Sequence, residues 1–133
     1  KFQVQHADGK PAERKATDMI TQILARRLVA CLRQSDTVAR LGREGFGLIL
    51  EDLAHPPDCI KIARKVLAAV GNQILLDDQS YQIYALVGVA IYPMGGETLE
   101  ELMNSVRRAA DNASRAGEPY ACIGLEEGVQ TDP

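Results

Sequence analysis

Two short apolar runs, Thr37–Leu41 and Phe46–Leu50, flank Gly42-Arg43-Glu44-Gly45, and no other stretch limits the fold so closely. Glycine at both ends of a four-residue connection supplies backbone angles that other residues resist, so the spacing predicts a β-hairpin. Arg43 and Glu44 at its tip are the exposed charges that keep such a turn soluble, and Arg40 reads as an outward-facing strand residue.

The segments on either side alternate between helix and strand. Lys1–Gln5 alternates weakly, as a strand remnant would, and the polar stretch His6–Ala16, with Gly9 and Pro11, reads as a loop or a poor helix start. Thr17 or Asp18 is placed to cap a helix running to about Arg33, with Ile20, Ile23, Leu24, Leu28, Cys31 and Leu32 on one stripe. Pro56 and Pro57 open a second helix, whose apolar face is Ile60, Ala63, Val66, Leu67 and Val70, and Gly71 ends it. Gln73–Leu76 and Tyr81–Tyr92 predict another hairpin, turning at Asp77-Asp78-Gln79-Ser80, with Ile83–Ile91 apolar enough for a central buried strand. Thr98 caps a third helix, with Leu99, Leu102, Val106, Ala109, Ala110 and Ala113 inward. Gly117 stops it, and Tyr120–Ile123 follows as a short strand. This order predicts an α+β fold, a mostly antiparallel sheet with helices on its faces.

At 133 residues the chain suits one domain and is too short for two. A net charge of -3 gives no strong field toward nucleic acid or an anionic membrane, and no apolar run approaches the roughly 20 residues of a membrane span. Three cysteines (Cys31, Cys59, Cys122) without CxxC spacing or paired histidines predict neither a zinc site nor a disulfide framework, but small buried or half-buried thiols in a reducing cytosol. His6 and His55 sit in polar, loop-like contexts without a catalytic companion. The chain begins at Lys1 rather than a methionine, which suggests a fragment of something longer, and the acidic stretch 125–133 reads as a linker or tail.

The run from Arg33 to Phe46 resembles the centre of a GGDEF domain, the diguanylate-cyclase family: an R-x-x-D, an arginine, then a G-G-[DE]-E-F hairpin. Further residues extend the likeness from about residue 17 to 124. Tyr84–Pro93 is similar to the family's strand leading into a Y-P turn. Thr98-Leu99-Glu100-Glu101-Leu102 is similar to its T-x-E-E-L helix start, and Ala109–Gly117 to its helix ending in A-K-x-x-G-R. The resemblance implies a nucleotide-cyclase (palm, ferredoxin-like) fold over residues 1–124, incomplete or degenerate over 1–16. It also implies a chemistry in which a 3'-hydroxyl attacks an α-phosphate twice between two GTP molecules.

Measured against that family, the catalytic positions are depleted. Gly42, Glu44 and Phe46 are kept in the hairpin, but Arg43 stands for the second glycine and Gly45 for the second acid. On the last helix the phosphate-binding lysine aligns with Ser114, and the arginine after glycine with Glu118, whose charge would repel a triphosphate. The metal-binding aspartate that ends the family's first strand is expected at or before Lys1, and the guanine-contacting asparagine aligns with Gly9. Asp18 matches the family's guanine-contacting aspartate, or is a helix N-cap.

Arg33 and Asp36 retain R-x-x-D, which in competent cyclases resembles the inhibitory site for cyclic di-GMP, with Arg64 or Lys65 as a further cation. An arginine fork can pair with phosphate or with guanine O6 and N7, and an aspartate can accept from guanine N1 and N2. The same pair can equally be a solvated ion pair at a helix end. The resemblance therefore implies a catalytically degenerate, regulatory or nucleotide-sensing module of a bacterial protein, in the cytoplasm or on the cytoplasmic side of a membrane-anchored protein. Such a module takes no cofactor. Its partners would be cyclic di-GMP or GTP, an adjacent EAL phosphodiesterase or sensory domain, and a second copy in a homodimer, but not nucleic acid. Two alternatives stay open: an active cyclase using Glu44, Mg2+ and a carboxylate upstream, or an α+β domain with a purely structural role.

Overall fold

The computed structural model describes residues 1–42, 45–51 and 53–125. The hairpin-tip charges Arg43 and Glu44, and all of the expected tail but Leu125, lie outside the described residues. Contacts cluster into two units: Lys1–Glu51 with Val66–Ala85, and Asp52–Lys65 with Leu86–Pro133.

In the first unit, β1 (Phe2–His6) and α1 (Arg14–Cys31) precede the hairpin β2 (Thr37–Arg40) and β3 (Phe46–Ile49). The hairpin is antiparallel, with Thr37 opposite Ile49 and Arg40 opposite Phe46, and Leu41 N donates to Gly45 O at 3.0 Å. Gly42 has φ 70, a left-handed angle that glycine adopts without penalty. The C-terminal turn of α2 (Asp58–Val70) leads through Gly71, at φ 74, into β4 (Gln73–Leu76) and β5 (Gln79–Ala85). β5 is the middle strand, antiparallel to β1 and to β4, with Val4 opposite Ile83 and Ile74 opposite Tyr81. The Phe2 ring stacks on Phe46 at 5.6 Å.

α1 buries Ala16, Ile20, Thr21, Leu24 and Leu28, the stripe that the apolar spacing predicts. Thr21 is tolerated inside because its hydroxyl donates to Thr17 O at 2.7 Å. The boundaries differ from expectation. The helix starts at Arg14, after an extended Glu13, and ends at Cys31, with Leu32 as C-cap. Asp18 is therefore an exposed residue of the second turn and not an N-cap. A turn after β1 brings the start forward: Gly9 N donates to His6 O, Gln5 bridges to Pro11, and His6 reaches Glu13.

The β4–β5 connection is tighter than the four-residue turn expected. Asp77 and Asp78 form it alone, at φ 50 and 65, and Gln79 already belongs to the strand. Positive φ at both central residues makes a primed turn, whose twist matches that of the flanking strands.

In the second unit, the N-terminal part of α2 is joined by β6 (Val87–Ala90), α3 (Leu99–Ala116) and β7 (Tyr120–Ile123). β6 and β7 are parallel, Val87 opposite Tyr120 and Ala90 opposite Ile123, and α3 supplies the long connection that parallel neighbours require. The expected continuous arm Tyr81–Tyr92 is thus two strands. β5 ends at Ala85, and Val87 N bonds Pro119 O at 2.9 Å as β6 turns to β7. Nor is Tyr84–Ile91 fully buried: Tyr84 is exposed and the others are half-buried.

Gly88 is where β6 lies against α3: a Cβ there would come within 2.8 Å of Ala110 N and closer still to Val106 O. α3 buries Ser105, Ala109, Ala110 and Ala113, while Leu99, expected inward, is 68% exposed. Its ends are as expected. Thr98 Oγ1 accepts from Glu101 N at 3.1 Å, and Gly117 closes the last turn at φ 71. Among the described residues no helix is long and apolar enough to cross a membrane. The α+β class and the largely antiparallel pairing are as the sequence predicts.

Candidate functional site

Arg33 lies just beyond α1, outside the helix that was expected to include it. Its backbone N–H donates to Asp36 Oδ2 at 2.9 Å, and Asp36 N donates to Arg33 O at 3.0 Å, closing the R-x-x-D into a turn. The guanidinium lies 3.7 Å from Asp36 Oδ2 through Nε, and its Nη2 donates to Glu51 O at 2.6 Å. The two side chains differ sharply in exposure, 57% for Arg33 and 4% for Asp36. Asp36 Oδ1 is buried and has no hydrogen-bond partner among the described residues. Such an acceptor is costly to leave unpaired and suits an N–H donor. The turn thus presents a mostly exposed arginine fork beside a buried carboxylate.

The end of β1 carries a second polar cluster. His6 Nε2 lies 2.6 Å from Glu13 Oε1, the His6 and Tyr81 rings are 4.8 Å apart, and Tyr81 Oη donates to Glu13 Oε2 at 3.3 Å. The hydrogen bond from His6 is the main reason that the Glu13 carboxyl is held below its usual range. Burial, then the Glu13 charge beside it, pushes the Tyr81 hydroxyl up. Asp8, in the following turn, accepts from Lys10 N at 3.0 Å through Oδ1. His6 ends a strand rather than sitting in a loop, and it has a hydrogen-bond partner. Its partner sits seven positions away across a turn, a pairing visible only once the start of α1 is known.

Asp18 is exposed on α1, and Arg40 Nε donates to Gly42 O at 3.1 Å beside the hairpin turn. In the second unit, Arg64 Nη2 donates to Tyr120 Oη at 3.3 Å, its guanidinium 6.0 Å from that ring's centroid, while Lys65 is exposed. Ser114 is exposed near the end of α3. Glu118, just past the helix and half-buried, bonds Ala113 O through its backbone N–H.

The family described as "Diguanylate cyclase, GGDEF domain" matches residues 14–119, both units together. The chain is a GGDEF domain. Among its relatives in Pseudomonas aeruginosa are the bifunctional diguanylate cyclase/cyclic di-GMP phosphodiesterase MucR, 31% identical over 106 residues, and the diguanylate cyclase TpbB, 35% identical over 101. These alignments cover 80% and 75% of this chain but only 15% and 23% of the relatives, so the GGDEF domain spans less than a quarter of the length of either. Among solved structures, the GGDEF domain of P. aeruginosa TpbB is similar at a TM-score of 0.66 and 26% identity, over 92% of this chain and 73% of that one. An EAL/GGDEF protein from M. capsulatus shares the fold at a TM-score of 0.73 and 21% identity, over 93% and 83%. The strand expected as a remnant over Lys1–Gln5 is formed, as β1 at Phe2–His6.

Proposed function

We propose that this GGDEF domain is catalytically silent and serves as a regulatory module in cyclic di-GMP signalling, binding cyclic di-GMP through Arg33 and Asp36. The observation that carries the first half of the reading is the end of β1. A magnesium ion takes oxygen ligands in near-ideal octahedral geometry. The residues there do not fit one: His6 ends the strand, both Glu13 oxygens face donors, and Asp8 Oδ1 is engaged by backbone. The substitutions Arg43 and Gly45 in the hairpin, and Ser114 and Glu118 at α3, point the same way, because they remove an acid, a close backbone approach and two phosphate cations.

The second half rests on the R-x-x-D turn. An exposed guanidinium can fork onto phosphate or guanine, while the buried Asp36, whose Oδ1 has no donor among the described residues, holds the turn that presents it. The relatives' names join cyclase and phosphodiesterase activity in longer proteins. An EAL or sensory neighbour, a cytoplasmic setting and a homodimer belong to the same proposal.

Incubation with GTP and magnesium or manganese tests the first half; cyclic di-GMP formation above a no-enzyme control overturns it. Calorimetric titration tests the second. Cyclic di-GMP is expected to bind more tightly than GTP, and equal affinity or no binding in the full-length protein at high concentration refutes it.

A further inference from the structure

Cys59 and Cys122 lie 63 positions apart in sequence, yet their sulfurs approach to 3.4 Å inside the second unit. Cys59 is the second residue of α2 and 3% exposed; Cys122, on β7, is half-buried. Both are free thiols, as is Cys31, which lies in the other unit with its sulfur 3.3 Å from Leu28 O. A disulfide needs the two sulfurs about 2.05 Å apart, so the pair must close by roughly 1.4 Å.

We propose that Cys59 and Cys122 are a peroxide-responsive dithiol, a modification site at which oxidation ties the first turn of α2 to β7. Cys59 is the attacking sulfur. The hydrogen bond from Cys122 holds its thiol below the usual range, while burial and the adjacent Asp58 oppose this. Its place at a helix N-terminus also favours the thiolate. Cys122, which gives up its proton to that bond and is partly buried, is pushed well up and waits as the resolving thiol. The Cys59 thiolate attacks one oxygen of hydrogen peroxide, the O–O bond breaks, and hydroxide leaves a sulfenic acid. The Cys122 sulfur then attacks the sulfenic sulfur and water departs with the hydroxyl. In sum, two thiols and one peroxide give one disulfide and two waters, with sulfur oxidised and peroxide reduced. The burial of Cys59 selects an oxidant close to water in size over a bulky disulfide.

The test is peroxide treatment of the reduced, purified full-length protein, alkylation of the remaining thiols, and peptide mass mapping. The expected map links the Cys59 and Cys122 peptides with the loss of two hydrogens, leaves Cys31 alkylated, and reverts under reductant. Oxidation should raise the Tm, because the crosslink closes a long loop in the unfolded chain. Cys122→Ser should accumulate a sulfenic acid at Cys59 that dimedone captures once the oxidised protein is denatured in its presence, and Cys31→Ser should leave the crosslink intact. Should a serine variant fail to fold, the wild-type map still decides. A map in which Cys31 oxidises as readily, or in which Cys59 and Cys122 stay unlinked while peroxide is consumed, overturns the proposal.

Discussion

Arg33 shows how a short motif divides its labour. Its backbone holds Asp36 in the turn, and its guanidinium spans between Glu51 O and solvent. Arg33→Ala is expected to weaken cyclic di-GMP binding ten-fold or more, since a lost charge-assisted contact costs about 1.5–3 kcal/mol. Calorimetry reads that loss. Chemical denaturation should show a stability change of only about 0–1 kcal/mol, because the side chain is mostly exposed. Glu13 makes a different residue-scale prediction. Its carboxyl is held below the usual carboxylate range by His6, by backbone and by Tyr81. A depressed folded pKa stabilises above the unfolded pKa, and this contribution fades as pH falls below about 4.5. Glu13→Gln should therefore flatten the decline of Tm below that pH and lower the Tm near neutrality. An unchanged acid profile refutes the assignment.

Among the elements, the β4–β5 hairpin is the most open to improvement. Asp77 and Asp78 both take left-handed angles, which cost an L-residue about 1–2 kcal/mol and cost glycine almost nothing. Asparagine followed by glycine is the favoured pair for this turn. Asp77→Asn with Asp78→Gly should therefore raise stability by about 1 kcal/mol, measured as a higher denaturation midpoint with an unchanged slope. α3 is tuned differently, by small residues. Ala109, Ala110 and Ala113 let β6 approach, and Gly88 completes that fit because a methyl group would meet helix backbone.

For the molecule as a whole, the question is whether one repaired element restores chemistry spread over several. Arg43→Gly with Gly45→Glu rebuilds the G-G-E-E-F hairpin, and it is expected to yield no cyclic di-GMP from GTP. His6 still ends β1, and Ser114 and Glu118 still stand at the phosphate positions. Phosphoryl transfer depends on metal, base and phosphate contacts acting together, so one element does not compensate for the rest. Turnover by the double variant, in a chromatographic product assay, would show that the α3 positions matter less than their chemistry suggests.

The α+β class, the β2–β3 hairpin, the buried stripe of α1 and both caps of α3 were legible in the residues, because each rests on local periodicity or on a glycine or threonine acting within one turn. The R-x-x-D motif was legible too, but not its geometry: that Asp36 is buried, with one oxygen unpaired among the described residues, depends on what surrounds it. The start of α1 was misread because the helix begins at Arg14, after an extended Glu13 whose side chain makes no cap bond, and such a start carries no local sequence signal. The break between β5 and β6 was hidden for a similar reason. An unbroken apolar run looks the same whether one strand uses it or two, and only the different partners β1, β4 and β7 divide it. The thiol pair lay furthest from view. Spacing along the chain carries no information about two sulfurs 63 residues apart; packing of α2 and β7 brings them together.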